Sequence, residues 1–362
     1  MLSPGCLRKA NKRRLIKSNK NTLGHWLSSK YFHLGLSLVI SGLSLYLAAR
    51  HVSWTEIWES LLQADWRWAG LAVLSVGVNN LTKIVRWQLL GTTANTQTSF
   101  TRLSLTFLVG QMLNAIYPGR VGDLSRIYLT GERAGERAFM LGTIVLEKAL
   151  DVIAYTVLAA WMFLWMPMPT WIRGSVAGVI VVGLGVLVLL RIASRLRNSH
   201  ISIPSKISGW LNNIWERLSS SHQRQKLVYW LRMGSESLKV LDNPWFLGRV
   251  ISLTVMVWVT ALLNNYLVIK ALNVDLGTLG NEARATLVIL VGLMAGITIP
   301  TIPGRIGVFE YICVLSLQLF HVDQGIALTY GIVLHAVVFI PQIFFGLLAL
   351  PVLGFGHHER QA

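Results

Sequence analysis

The sequence predicts an all-α integral membrane protein, and three observations lead there. Of 362 residues, 53% are hydrophobic, only 14% are charged and 14 are Trp; mean hydropathy is positive. Several apolar stretches reach the roughly 20 helical residues that a bilayer core demands. The charges are gathered into particular connections, the pattern by which basic loops are kept on the cytoplasmic side. A Pro-Gly-Arg-hydrophobic-Gly turn also occurs twice inside apolar sequence, at Pro118-Gly119-Arg120 and Pro303-Gly304-Arg305, 185 residues apart. The same offset carries Asn79-Asn80 onto Asn264-Asn265, and two independent matches at one offset indicate duplication.

Taken in order, residues 1–30 hold eight Lys and Arg and no acid, a solvated basic tail expected to stay cytoplasmic. The apolar segment 31–49 anchors the chain. Residues 50–66 carry Glu56, Glu59 and Asp65 against a single Arg and read as external. Segment 66–90 then returns inward, with Lys83 and Arg86 toward its inner end, where long basic side chains can snorkel to the interface. Segments 139–166 and 171–190 are full length. Between 191 and 243 stand nine basic residues against three acids, which places that loop inside. Within it Ile207, Trp210, Leu211, Ile214, Trp215 and Leu218 recur at helical spacing, an amphipathic helix suited to the inner interface. Segment 245–271 crosses outward and 326–352 crosses back.

Four apolar segments, 101–117, 121–128, 287–301 and 306–320, are each too short to cross. Counting back from the inside loop leaves 131–137 cytoplasmic, the side on which 66–90 ends, so 101–130 enters and leaves by one face. The expected architecture is about six full transmembrane helices plus two re-entrant helical hairpins in an inverted internal repeat. Repeat 1 spans about 66–190 and repeat 2 about 245–354, within one polytopic domain over 31–354 with both termini cytoplasmic. The competing count makes the short pairs crossings, which gives about eight spans and a parallel repeat.

Pro lacks an N–H and Gly tolerates unusual backbone angles, so each turn should end one helix and start another at Gly119 or Gly304. A helix N-terminus carries partial positive charge, and a basic residue there is disfavoured by about 0.3–1 kcal/mol. Arg120 and Arg305 nevertheless stand at that end, with Asn114 six residues before the first. Two readings stay open. Either an anion arrives between the positive features, or Arg120 pairs internally with Asp123 and Arg305 with Glu310 or a carbonyl. Glu147, Lys148 and Asp151 lie inside an apolar span, with Glu147 and Asp151 on one helical face; they either neutralise Arg86, Arg120 or Lys148, or couple an ion or proton. His335, near Pro341, either bonds within the bundle or transfers protons. Asn79, Asn80, Asn114, Asn264 and Asn265 are polar groups suited to interhelical bonds or cavity lining.

The formal charge of +17 would suggest nucleic acid in a soluble chain; here it marks topology, and no nucleic-acid partner is expected. Cys6 and Cys313 make no metal spacing. No nucleotide loop, nucleophile elbow or metalloprotease signature occurs, so no metal, cofactor or soluble-enzyme chemistry is expected.

Arg86-Trp87 ending a span, Asn114 with PGRVGDLSR, the Glu147-Lys148-x-x-Asp151 group, PGRIGVFE, and His335 with Pro341 and Gly346 follow one another over roughly 31–354. This ordered set resembles the flippase-like transmembrane domain of lysylphosphatidylglycerol synthetases and its stand-alone relatives. The resemblance implies movement of an anionic, aminoacylated or lipid-linked head group between leaflets, with membrane lipids as partners, in a bacterial plasma membrane. The alternative is a membrane-embedded transferase, or an accessory subunit beside a partner enzyme of lipid or glycan biosynthesis, with Glu147 or Asp151 as base. A non-catalytic scaffold and a homo-oligomer also fit the pattern. The synthetases add a soluble aminoacyl-transfer domain after the membrane part. This chain stops soon after its last apolar segment, so aminoacyl transfer by it alone is not expected. Arg120 and Arg305 stand where many relatives have a second Gly.

Overall fold

A computed structural model describes residues 30–92, 99–117, 120–165, 170–198, 229–230, 233–277, 279–297 and 299–358. The basic tail, the amphipathic stretch 207–218 and the residues Pro118 and Gly119 lie outside the described residues. The helices are α1 (Lys30–Ala49), α2 (Trp54–Leu62), α3 (Trp66–Gly91), α4 (Phe100–Ile116), α5 (Val121–Thr130), α6 (Ala134–Trp165), α7 (Thr170–Asn198), α8 (Pro244–Ala271), α9 (Leu279–Gly296), α10 (Val308–Gln318) and α11 (Gln324–His358), with 3-10 turns at Glu236–Asp242 and Pro303–Arg305. No strand occurs among the described residues. On length and hydropathy α3, α8 and α11 can each cross a membrane, and the pair α1–α2, bent by 73°, makes a fourth candidate.

Local chemistry sets the boundaries. Asp65 accepts from the Arg67 N–H at 3.0 Å, and Ser99 from that of Arg102 at 3.3 Å, so each N-cap satisfies one of the orphan donors of its helix. Asn243 accepts from Trp245 and Phe246, with Pro244 in the first turn of α8, where its missing N–H costs nothing. Helix α2 differs from the plain external link expected there. Ser53 caps it by accepting from the Glu56 N–H at 3.3 Å, and a Ser three residues ahead of a Glu is itself a helix-start pattern.

Helices α3 and α8 form the centre. On α3, Leu71, Leu74, Val78, Leu81 and Val85 are exposed, a stripe three and four residues apart that suits lipid contact. The opposite face, with Ala72, Ser75 and Asn80, is buried; small residues at this face let the backbones approach. Asn79 Nδ2 donates to Val257 O at 2.7 Å and to Thr260 Oγ1 at 2.7 Å. Asn264 Nδ2 donates to Ala72 O at 2.9 Å and to Ser75 Oγ at 3.2 Å. Adding 185 to Ala72, Ser75 and Asn79 gives Val257, Thr260 and Asn264, so the two sets of bonds are the same set exchanged between helices. Reciprocal contact of this kind is the mark of a two-fold relation. As α3 runs from Ala72 to Asn79, it meets α8 in the order Asn264, Thr260, Val257, so the two helices are antiparallel.

The bundle has two ends. At one, Leu90 of α3 clusters with Leu146, Leu238, Val240 and Val250, and Arg102 of α4 pairs with Glu132 after α5 at 3.2 Å. At the other, the Asp65 N–H donates to Ala271 O at 2.7 Å, Lys270 pairs with Glu282 at 2.7 Å, and Gln324 Nε2 donates to Ala48 O at 2.8 Å. The α4–α5 pair therefore opens toward the first end and α9–α10 toward the second. Glycine makes both pairs tight. A Cβ on Gly122 would stand 1.8 Å from Gly110 O, and one on Gly296 would stand 2.3 Å from Ile312 Cδ1. The halves also interlock, with α4 against α11 and α9 against α6.

Candidate functional site

The repeated turns keep their correspondence in backbone angle. Arg120 has φ 55° and Arg305 φ 61°, a left-handed conformation that costs a side-chain-bearing residue about 1–2 kcal/mol and persists only where surroundings enforce it. Arg120 is the N-cap of α5, makes no side-chain cap bond and is exposed. Arg305 is half-buried and ends the 3-10 turn after Gly304, itself at φ 75°. The start of α10 differs from expectation: it lies at Val308, with Gly307 as N-cap at φ 91°, so Arg305 precedes the helix rather than opening it. Gly307 is required there, since a Cβ would meet Ser41 O of α1 at 2.2 Å; Ser41 Oγ also accepts from the Ile302 N–H at 3.1 Å.

The two turns meet. Helix α4 touches the Pro303–Arg305 turn, and the Arg120 charge acts repulsively on that of Arg305. The internal pairings considered for them are absent among the described residues. Asp123 faces Arg126 at 3.5 Å and Lys148 at 3.5 Å, and it exchanges two bonds with Asn114, accepting from Nδ2 at 3.1 Å and donating its N–H to Oδ1 at 3.3 Å. Glu310 faces His335. Neither guanidinium pairs with a carboxylate among the described residues, and the nearest acids along the chain, Asp123 and Glu310, are bonded elsewhere.

Below the first turn lies an ion cluster between α3, α5 and α6. Arg86 donates to Asp151 at 2.7 Å and to Thr254 Oγ1 at 3.2 Å. Arg126 donates to Glu147 at 2.9 Å, and Glu147 also lies 3.7 Å from Arg86 and 3.7 Å from Lys148. Arg126 was not among the expected site residues, yet it is 1% exposed, with its guanidinium 4.0 Å from the Trp87 ring centre and 4.9 Å from that of Phe107. Cation–π contacts of this kind compensate a desolvated charge. Trp87 is held in turn by donating to Thr143 Oγ1 at 3.2 Å. Arg86 does not snorkel; it is fully buried, because α6 supplies its counter-charges at depth. Arg86 Nε, Arg86 Nη2 and Arg126 Nε make no hydrogen bond, and Lys83 interacts electrostatically with Asp151, Lys148, Arg86 and Glu147. Four cations therefore share three carboxylates, an excess of positive charge within the bundle.

Residues 35–346, which include both turns and this cluster, match the family model described as the lysylphosphatidylglycerol synthase TM region. The chain belongs to that family. It is also similar to the UPF0104 membrane protein PH1989 of Pyrococcus horikoshii, 24% identical over 335 residues, covering 86% of this chain and 96% of that relative. Family and helices together make the chain an integral membrane protein.

In this lysylphosphatidylglycerol synthase TM-region protein, the second half carries its own buried acid. Glu310 Oε2 accepts the Gly307 N–H at 2.7 Å, and Oε1 lies 2.5 Å from His335 Nδ1. The imidazole lies tilted between Phe309 and Phe339, at 4.7 and 4.2 Å between ring centres. Asn265 accepts from the Tyr330 hydroxyl at 3.1 Å, and Asn80 Oδ1 is buried without a partner. Two cavities open on the flanks, away from these groups. One of about 700 Å³ lies between Gln88 of α3, Thr92 just after it, and Trp245 and Arg249 of α8. The other, of about 480 Å³, is lined by Trp161, Trp165, Leu262 and Tyr266.

Proposed function

We propose that the protein translocates a lipid with an anionic head group between leaflets, and that Arg120 and Arg305 jointly hold the phosphate. The observation that carries this is a pair of repeat-related, left-handed Arg residues whose charges act on one another and which have no carboxylate partners among the described residues. Like charges brought together are unstable alone, and an anion between them removes the repulsion while gaining charge-assisted hydrogen bonds of about 1.5–3 kcal/mol each. Arg forks match phosphate oxygens in geometry.

The proposed topology has α1, α3, α6, α7, α8 and α11 crossing and the α4–α5 and α9–α10 pairs re-entering from opposite faces. The antiparallel, reciprocal bonding of α3 with α8 supports an inverted repeat, and so do the opposite openings of the two helix pairs. Backbone that leaves the helix at depth is tolerated where it is buried or faces water. In inverted repeats such broken segments form midplane sites that are reached from either side as the halves exchange conformation. Both termini and the basic segments are assigned to the cytoplasm, and the membrane to a bacterial plasma membrane. Glu147 and Asp151 are bonded to Arg126 and Arg86, which favours a structural and coupling role over service as a general base in a transferase.

The test uses proteoliposomes holding fluorescent head-group-labelled phosphatidylglycerol in one leaflet. Wild-type protein should speed its exchange, and Arg120→Ala with Arg305→Ala should return exchange to the protein-free rate. Unchanged exchange in the double variant removes the proposal.

A further inference from the structure

The proposed head-group site leaves Glu310 and His335 unexplained. Burying a charge in apolar surroundings is strongly unfavourable unless it is paired, and Glu310 is 6% exposed. Its only ion-pair partner among the described residues is an imidazole, whose charge depends on a proton. With that proton the pair is neutral overall; without it, a carboxylate sits on a neutral ring and one net negative charge is left in the bundle. The same carboxylate holds the Gly307 N–H, two residues from Arg305. The residue proposed to accept it in place of His335 is thus two positions from the N–H it already holds.

We propose that the Glu310–His335 pair is a proton-binding site that decides whether Arg305 is available to the anion. This inference rests on the head-group reading. When His335 carries its second proton, Glu310 stays bonded to it and Arg305 is free. When that N–H bond breaks and the proton leaves to water, Glu310 loses its counter-charge and turns to Arg305, where it competes with the phosphate. Proton and head group then bind together, and by linkage each raises the affinity for the other.

Few other groups face the pair. Cys313, one turn along α10, interacts with Glu310, and Tyr330 on α11 is committed to Asn265. Of the charged side chains on the other packed helices, Lys270 is held by Glu282, Arg284 lies over the Trp165 ring, Arg249 over the Trp245 ring, Arg102 is held by Glu132 and Arg86 by Asp151, with Lys83 beside that cluster. Glu56 of α2 lies against Gly325, ten residues from His335 along α11. Ser41 of α1 does not ionise.

The test measures binding of short-chain phosphatidylglycerol, and separately of glycerol phosphate, to purified protein across pH. Wild-type affinity should rise as pH falls, by at most about tenfold per unit for a one-proton linkage. Binding of glycerol phosphate with the same slope would identify the head group alone as the linked ligand; a slope confined to the lipid would identify the lipid-bound state, and either supports the proton site. His335→Gln should flatten the dependence at the weaker, high-pH level. Glu310→Gln, which keeps an oxygen for the Gly307 N–H, should flatten it at the tighter level. Binding that needs Arg120 and Arg305 but is flat with pH in wild type overturns the proton site and leaves the head-group reading standing. Absence of Arg-dependent binding overturns both.

Discussion

Glu147→Gln is the sharpest test of how the membrane interior is held. The wild-type side chain is 3% exposed and takes Arg126 at 2.9 Å, with Arg86 and Lys148 each at 3.7 Å. Neutralising it leaves Arg86, Arg126 and Lys148 with Asp123 and Asp151 alone, and three of the Arg nitrogens already lack hydrogen-bond partners. Breaking a buried ion pair from one side costs about 3–5 kcal/mol, because the remaining charge stays desolvated. Asp151→Asn is milder, since Asp151 is 25% exposed and holds Arg86 alone; about 1–3 kcal/mol is expected for a desolvated donor left unmet. Glu132→Gln removes a partner that is 59% exposed and should cost about 0–1 kcal/mol. Thermal unfolding in detergent, followed by Trp fluorescence, should rank the losses Glu147→Gln, then Asp151→Asn, then Glu132→Gln. Equal losses, or a larger loss for Asp151→Asn, would show that the cluster is solvated and that burial does not set its energetics.

Asn79→Ala and Asn264→Ala each delete one half of a reciprocal pair of bonds, so each should cost about 1–2 kcal/mol, and by nearly the same amount in the same unfolding assay. Gly122→Ala, whose Cβ would strike Gly110 O, should abolish stable folding as read by monodispersity, while Gly77→Ala, with nothing within 4 Å, should be silent. Thr92→Cys and Arg133→Cys, both at exposed positions flanking the α4–α5 pair, should react with an impermeant maleimide from the same side of the membrane; reaction from opposite sides would make that pair a crossing and favour the parallel repeat.

Much of the fold was legible because run length and charge segregation are properties of the chain itself. The short segments 101–117 and 121–128 reappear as α4 and α5, and the shared offset of the two Pro-Gly-Arg turns reappears as matched positive φ angles at Arg120 and Arg305. The reciprocity of Asn79 and Asn264 was not legible, since it appears only when α3 and α8 are laid side by side. Arg86 read as a snorkelling side chain because its counter-charges come from α6, about sixty residues further along, and no local pattern announces a partner that distant. Arg126 is not legible in the sequence because one Arg in a ten-residue helix reads as surface until Trp87 and Phe107 close over it. Helix α6 falls short by composition because its charges, Glu147, Lys148 and Asp151, are the ones the fold pairs. The Glu310–His335 contact joins residues 25 apart, across the connection between α10 and α11. In the sequence they were two isolated polar residues.

The central claim is that Arg120 and Arg305 grip one anion together, and a double-mutant cycle on binding of short-chain phosphatidylglycerol, measured by calorimetry in detergent, tests it most directly. A shared site predicts that Arg120→Ala and Arg305→Ala each remove most of the affinity and that the double variant loses little more. Losses that simply add, as for two independent contacts, would contradict it.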